Sequence, residues 1–167
     1  ELLNNARGSN KRPGEFRIDQ NWIGEGRAPI TRATFVPPPP PDMLAALGHF
    51  ESYLNLNRGL PVLVQCGLAH AQFETIHPFL DGNGRVGRLL IAFILCERQV
   101  LHRPLLYMSA YLKRHRGDYY DRLMAVRDRG DWEGWLRFFL EGVAETAEEA
   151  TRTAHAIVRL REGQRRT

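Results

Sequence analysis

The chain has 167 residues, about one domain's worth, of which 43% are hydrophobic and 25% charged. That balance is ordinary for a globular protein and excludes disorder, collagen-like repeats and low-complexity arrays as the overall class. The net charge of +4 is too small and too dispersed to argue for nucleic acid as a partner, and no uninterrupted apolar run reaches the ~18 residues of a membrane span.

All basic residues but Lys11 and Lys113 are arginine, a side chain whose fork matches phosphate geometry. Cys66 and Cys96 lie in apolar runs without metal-type spacing. They read as small buried hydrophobes in a reducing compartment, not as a disulfide framework. That points to the cytoplasm, with a secreted effector as the alternative. The chain begins at Glu1 rather than Met and shows no signal-peptide pattern, which reads as an excised piece.

Along the chain, residues 1–15 form an irregular lead-in rich in Asn, Gly and Pro. Short apolar runs at 16–18, 22–24 and 33–36, separated by the Gly24–Pro29 region, predict a small β-hairpin over about 16–36. Pro37 to Pro41 predict extended polyproline backbone. Asp42 then reads as the N-cap of a helix through Met43, Leu47, Phe50 and Leu54.

A second helix is expected from about Pro61 to Thr75, and a third from about Gly84 to Gln99. The third is apolar on all sides and so predicted to be central and buried. Helices around 108–116, 118–129 and 131–142 follow, then a more polar one from about Ala144 to Arg161. The fold class is all-α with one small hairpin.

The chemistry concentrates in His77-Pro78-Phe79-Leu80-Asp81-Gly82-Asn83-Gly84-Arg85-Val86-Gly87-Arg88. Gly82 and Gly84 flank Asn83 and permit close ligand approach. Successive amides in such a turn make an anion-binding nest that opens into a helix N-terminus, where free N–H groups favour a negative ligand. Arg85 and Arg88, three apart, share one face of the first helical turn.

Two arginines beside an amide nest describe a site for more than one phosphate. Asp81 would repel a bare polyphosphate, so its presence calls for Mg²⁺ between them. His77 is the one nearby group that accepts a proton near neutral pH. Each residue alone has an ordinary explanation as a cap, turn or surface charge; together they do not. Gly82, Gly84 and Gly87 also spell G-x-G-x-x-G. The dinucleotide-binding reading fails, because that motif must follow a strand and here it follows a helix.

The segment matches the Fic (Fic/Doc) motif H-P-F-x-[DE]-G-N-G-R-x-x-R at every fixed position, and the chain resembles a Fic catalytic domain over most of its length. Trp22-Ile23-Gly24 and Phe35-Val36-Pro37-Pro38-Pro39 look like the family's flap hairpin and its prolines. His70 to Ile76 looks like the helix before the motif, and Leu106 to Ser109 and Tyr119 to Trp135 resemble later helices. The resemblance implies a Fic-fold helical bundle around a central buried helix. Its domain would cover 16–142, with a C-terminal polar helix and tail, 143–167, packed on it.

By resemblance the activity is protein adenylylation: AMP passes from ATP to a Ser, Thr or Tyr hydroxyl of a target protein, and pyrophosphate leaves. His77 would be the general base and Asp81 would hold Mg²⁺. Gly82, Asn83 and Gly84 would cradle the phosphates, Arg85 and Arg88 would bind the β- and γ-phosphates, and Tyr120 would line the adenosine pocket. The target protein would dock along the flap hairpin. The family's Doc kinases differ at the motif, so its intact form here favours nucleotidyl transfer.

Many members carry an inhibitory helix with [ST]-x-x-x-E-[GN]. No such motif occurs in these residues, so that helix is expected upstream or on a partner protein. A second copy of the chain could pair through the polar helix after Ala144. The alternatives keep the site but change its use: UMP or phosphocholine transfer, removal of AMP, or a nucleotide-sensing regulatory module.

Overall fold

A computed structural model describes residues 12, 14–24, 29–56 and 59–164. Most of the lead-in expected at 1–15, and the middle of the expected hairpin turn at 25–28, lie outside the described residues. Six helices follow one another: α1 Pro40–Leu56, α2 Val62–Ile76, α3 Asn83–Glu97, α4 Met108–Arg114, α5 Arg116–Arg129 and α6 Trp132–Gln164. The described residues are otherwise loops and one 3₁₀ turn, Ile30–Arg32.

The hairpin expected over 16–36 is reduced, among the described residues, to a single antiparallel bridge between Ile23 and Phe35. The Ile23 N–H donates to the Phe35 carbonyl at 2.8 Å, and the Ile23 carbonyl accepts from Thr34 at 2.8 Å and Phe35 at 3.1 Å. Beyond Val36 that side of the ladder runs out of donors, because the prolines that follow lack the N–H. The polyproline stretch is also shorter than expected, since α1 begins at Pro40 and takes Asp42 into its first turn instead of leaving it as the cap. Proline suits a first turn because its missing N–H would have no intrahelical partner there.

The chain divides into two compact units, Glu1–Pro61 with Leu68–Leu90, and Val62–Gly67 with Ile91–Thr167. In the first, Met43 and Phe50 of α1 are buried, as are Ala69, Ala71, Phe73 and Ile76 of α2. Phe50, Phe73 and Phe79 form a run of tilted rings, with centroids 6.2 and 6.4 Å apart. In the second, Trp135 and Phe139 of α6 are fully buried beside Tyr119 and Phe138. The indole N–H of Trp135 donates to the Gly67 carbonyl at 2.8 Å, so this buried polar tip is satisfied.

Two helix expectations are corrected. The third helix is not apolar-buried all round, because Phe93 is 55% exposed. The break expected near residue 143 is absent, and α6 runs unbroken through it. At Gly142 a Cβ would run into the Tyr111 ring, so the missing side chain makes room for an aromatic of α4. Arg114 then pairs with Glu145 at 2.7 Å and Glu149 at 3.0 Å, one helical turn apart. Beyond them, residues 151–162 are all exposed.

Cys66 is buried and Cys96 only partly so, and both are free thiols. Burial pushes the Cys66 thiol up to about 12, which makes it a small hydrophobe and not a nucleophile. Among the described residues, no helix is long and apolar enough to cross a membrane.

Candidate functional site

Residues 77–88 connect α2 to α3 and open α3 itself, wholly within the first unit. Helix α2 ends because His77 precedes a proline, whose ring excludes right-handed helical backbone at the residue before it. His77 takes the left-handed conformation instead, φ 50° and ψ 59°, and its N–H closes the helix on the Phe73 carbonyl at 3.0 Å. The imidazole therefore leaves the helix at a reversal of the chain, half-buried.

The loop is closed by Asn83, whose side chain is 2% exposed. Its Oδ1 accepts the Phe79 N–H at 2.8 Å and its Nδ2 donates to the Phe79 carbonyl at 2.6 Å. The amide is thus spent on the loop's own backbone, and only its main chain is left to face a ligand. Phe79 is held from the other side by stacking on Phe16, with centroids 5.7 Å apart.

Gly82 is at φ 93°, a conformation that L side chains rarely adopt. Its carbonyl receives the N–H groups of Arg85 and Val86, both at 3.0 Å, which starts α3. Helix starts leave their first N–H groups without intrahelical partners, and the dipole there favours an anion.

Asp81 and Arg85 form an ion pair at 3.7 Å with each side chain about a third exposed, at 34% and 35%. The Arg88 Nη1 lies 3.0 Å from where a Cβ on Gly84 would stand. The buried Glu74 of α2 has a carboxylate oxygen 3.8 Å from that same point. The structure therefore brings His77, Asp81, Gly82, Asn83, Gly84, Arg85 and Arg88 into one connection. Tyr120 belongs to the second unit, on α5, half exposed, with the Arg116 guanidinium 5.6 Å over its ring.

Asp81 fits a cation in one respect. It is a single accessible carboxylate, which is how Mg²⁺ is held when substrate phosphates supply other ligands. Among the described residues no group of three His, Cys, Asp or Glu side chains could hold a metal by itself.

His70, which the motif reading did not single out, supports α3 from α2. His70 is 1% exposed, and its Nδ1 lies 3.0 Å from the Gly87 carbonyl. A carbonyl only accepts, so Nδ1 carries the proton and donates. Burial pushes the His70 pKa down to about 4, so the ring is neutral in the folded protein. The unfolded chain, with a histidine near 6.5, binds the extra proton first. Stability from this group is therefore full above pH 6.5 and lost as pH falls toward 4, with a slope approaching ~1.4 kcal/mol per pH unit. Denaturant melts from pH 7 to 4.5 should show that slope, flattened in His70→Gln.

Gly87 sits where a Cβ would crowd three neighbours. A Cβ there would stand 2.6 Å from the Glu74 carboxylate, 3.2 Å from the Phe73 ring and 3.3 Å from the His70 ring. Overpacking of this kind costs about 1–3 kcal/mol. Gly87→Ala is expected to lower the denaturation midpoint accordingly and to weaken nucleotide binding, because the Glu74 carboxylate and the two rings must give way at the start of α3.

Residues 2–95, more than half of the chain, match the Fic/DOC family. The chain belongs to the Fic/DOC family. It is 35% identical over 138 residues to protein adenylyltransferase Fic of Aedes aegypti and 33% identical to the protein of that name from Culex quinquefasciatus, each match covering 81% of this chain. The chain spans 24% of the length of those relatives. Among solved structures, a Fic family protein from Desulfovibrio desulfuricans G20 superposes with a TM-score of 0.77 at 29% identity. That match covers 93% of this chain and 45% of the other. Fic-1 of C. elegans superposes with a TM-score of 0.53 at 25% identity, over 74% of this chain and 36% of that one.

Proposed function

We propose that this chain is the catalytic part of a protein adenylyltransferase, moving AMP from ATP to a hydroxyl of a target protein. The observation that carries the reading is the 77–88 connection: a histidine at a chain reversal, a loop closed on itself by Asn83, and a helix start bearing two arginines. Membership of a family whose curated relatives are named adenylyltransferases agrees with it.

In this reading the imidazole of His77 takes the proton of the target Ser, Thr or Tyr hydroxyl. The oxygen attacks the α-phosphorus, the bond to the β-phosphate breaks, and pyrophosphate carries the electrons away. Backbone amides of Gly82, Asn83 and Gly84 receive phosphate oxygens at the start of α3, and Arg85 and Arg88 neutralise the β- and γ-phosphates. Asp81 would hold Mg²⁺, which when bound offsets charge on the phosphates. Such transfers need positioning and charge neutralisation more than covalent help, and the base adds about 10²–10⁴-fold.

Tyr120 would take part in holding the adenosine. The segment around Trp22–Phe35 would align the target by strand addition, since the Ile23–Phe35 bridge leaves it a short extended edge. An inhibitory helix supplied from outside these residues would act at Arg88.

The test uses purified protein with Mg²⁺, a lysate, and ATP labelled at the α- or the γ-phosphate, with His77→Ala as control. Label reaching protein from α-ATP alone supports the reading. Label from γ-ATP alone would make the chain a kinase and overturn it. Bound nucleotide with no label from either would turn the site to another donor or to nucleotide sensing.

A further inference from the structure

Four consecutive carbonyls at the end of α2 face one short stretch of chain, residues 17–21. Arg17 donates from Nε to the His77 carbonyl at 2.9 Å and from Nη2 to the Ile76 carbonyl at 3.5 Å. Its backbone N–H donates to the Pro78 carbonyl at 2.9 Å. Asn21 Nδ2 donates to the Phe79 carbonyl at 3.0 Å. The same guanidinium also donates to the carbonyls of Pro38 and, at 3.3 Å, Asp19, so it ties the prolines before α1 to the loop.

Arg17 is 2% exposed, and no carboxylate among the described residues pairs with it. A buried cation is costly unless its protons are taken up. Here carbonyl oxygens take them, two at the C-terminal end of α2, where the aligned peptide dipoles leave negative partial charge. The fork is planar and rigid and remains charged when desolvated, so it fixes directions that a lysine would leave loose. Position 77 needs that support: a non-glycine residue in left-handed backbone is unfavourable by about 1–2 kcal/mol.

We infer that Arg17 is a positioning residue for the proposed base, clamping the His77 carbonyl so that the imidazole stands where the target hydroxyl must lie. The inference rests on the reading of His77 given above. It concerns a residue 60 positions upstream that lies outside the motif and the phosphate site. A misplacement of about 1 Å at such a group can lower the rate by ~10².

The experiment compares wild type, Arg17→Ala, Arg17→Lys and His77→Ala by transfer of α-labelled AMP, with kcat counted per ATP-binding site. That normalisation removes any loss of folded protein. Arg17→Ala should lose about 10- to 50-fold in kcat with KM for ATP within about twofold of wild type. Millimolar guanidinium should restore part of that loss and equal tetramethylammonium none. Arg17→Lys should lose several-fold, without that rescue.

Equal kcat in Arg17→Ala and wild type, with His77→Ala inactive, overturns the inference and leaves the base assignment standing. A fall in total transfer matched by an equal fall in the number of ATP-binding sites, so that kcat per site is unchanged and guanidinium restores nothing, makes Arg17 structural only and also overturns it. Full activity in His77→Ala removes the base reading, and the inference with it.

Discussion

Replacing His77 by alanine should lower AMP transfer by about 10²–10⁴-fold while ATP binding changes little. The phosphate contacts proposed here come from α3 and its start, whereas His77 ends α2, so deleting the imidazole leaves the anion site built. Alanine could be blamed for disturbing the backbone, since position 77 is left-handed at φ 50°. Asparagine tolerates that conformation better than most residues. His77→Asn therefore keeps the turn and removes the base, and both variants should be equally inactive. Isothermal titration with ATP and α-label transfer check the two halves. Substantial transfer by both variants would move the base to another group.

Why that site could be read from sequence, and its supports could not, follows from distance along the chain. His77, Asp81, Gly82, Asn83, Arg85 and Arg88 are local to one helix–loop–helix connection, so their spacing alone puts them together. Gly82 needed its positive φ, as the turn chemistry required. The clamp is different: Arg17 meets His77 across 60 residues, and an arginine between Phe16 and Ile18 looks like any surface charge on an irregular strand. Its burial is decided by where the prolines and α2 bring their carbonyls. His70 and Glu74 fall on the α2 face that meets Gly87, which is visible only once the register of α2 against α3 is known.

The misread elements have equally definite causes. The more polar stretch from Ala144 suggested a separate helix, but α6 continues through Gly142, where Tyr111 fills the space a side chain would take. Alternating apolar residues at 16–36 suggested a hairpin, but residues 30–32 turn as a 3₁₀ segment and prolines remove the donors after Val36. The run at 89–95 suggested burial all round, because sequence gives no sign of which neighbour is missing beside Phe93.

Asn83→Ala should lower transfer by up to about 100-fold, through the loop and not through a lost phosphate ligand. The side chain makes both of its hydrogen bonds to Phe79, at 2.8 and 2.6 Å, and is buried. The two bonds are not equivalent. The Phe79 carbonyl keeps a donor in Asn21 when Asn83 is truncated, whereas no other bond to the Phe79 N–H is recorded among the described residues. A buried donor stripped of its acceptor costs about 1–3 kcal/mol beyond the lost bonds. Opening the loop by ~3 kcal/mol corresponds to about two orders of magnitude in the equilibrium constant for closing it, which sets the upper bound on the loss.

Asn83→Asp separates the terms. It retains an acceptor for the Phe79 N–H, but sets an anionic oxygen against the Phe79 carbonyl where an N–H donated, so the melting midpoint should fall here too. Its carboxylate sits at the start of α3, favourable for the helix but repulsive to phosphates. ATP affinity should therefore fall further in Asn83→Asp than in Asn83→Ala. In Asn83→Ala stability and turnover fall together. Were Asn83→Ala to keep its melting midpoint and lose only ATP affinity, the side chain would be a phosphate ligand, and the closure by Phe79 would carry no energetic weight.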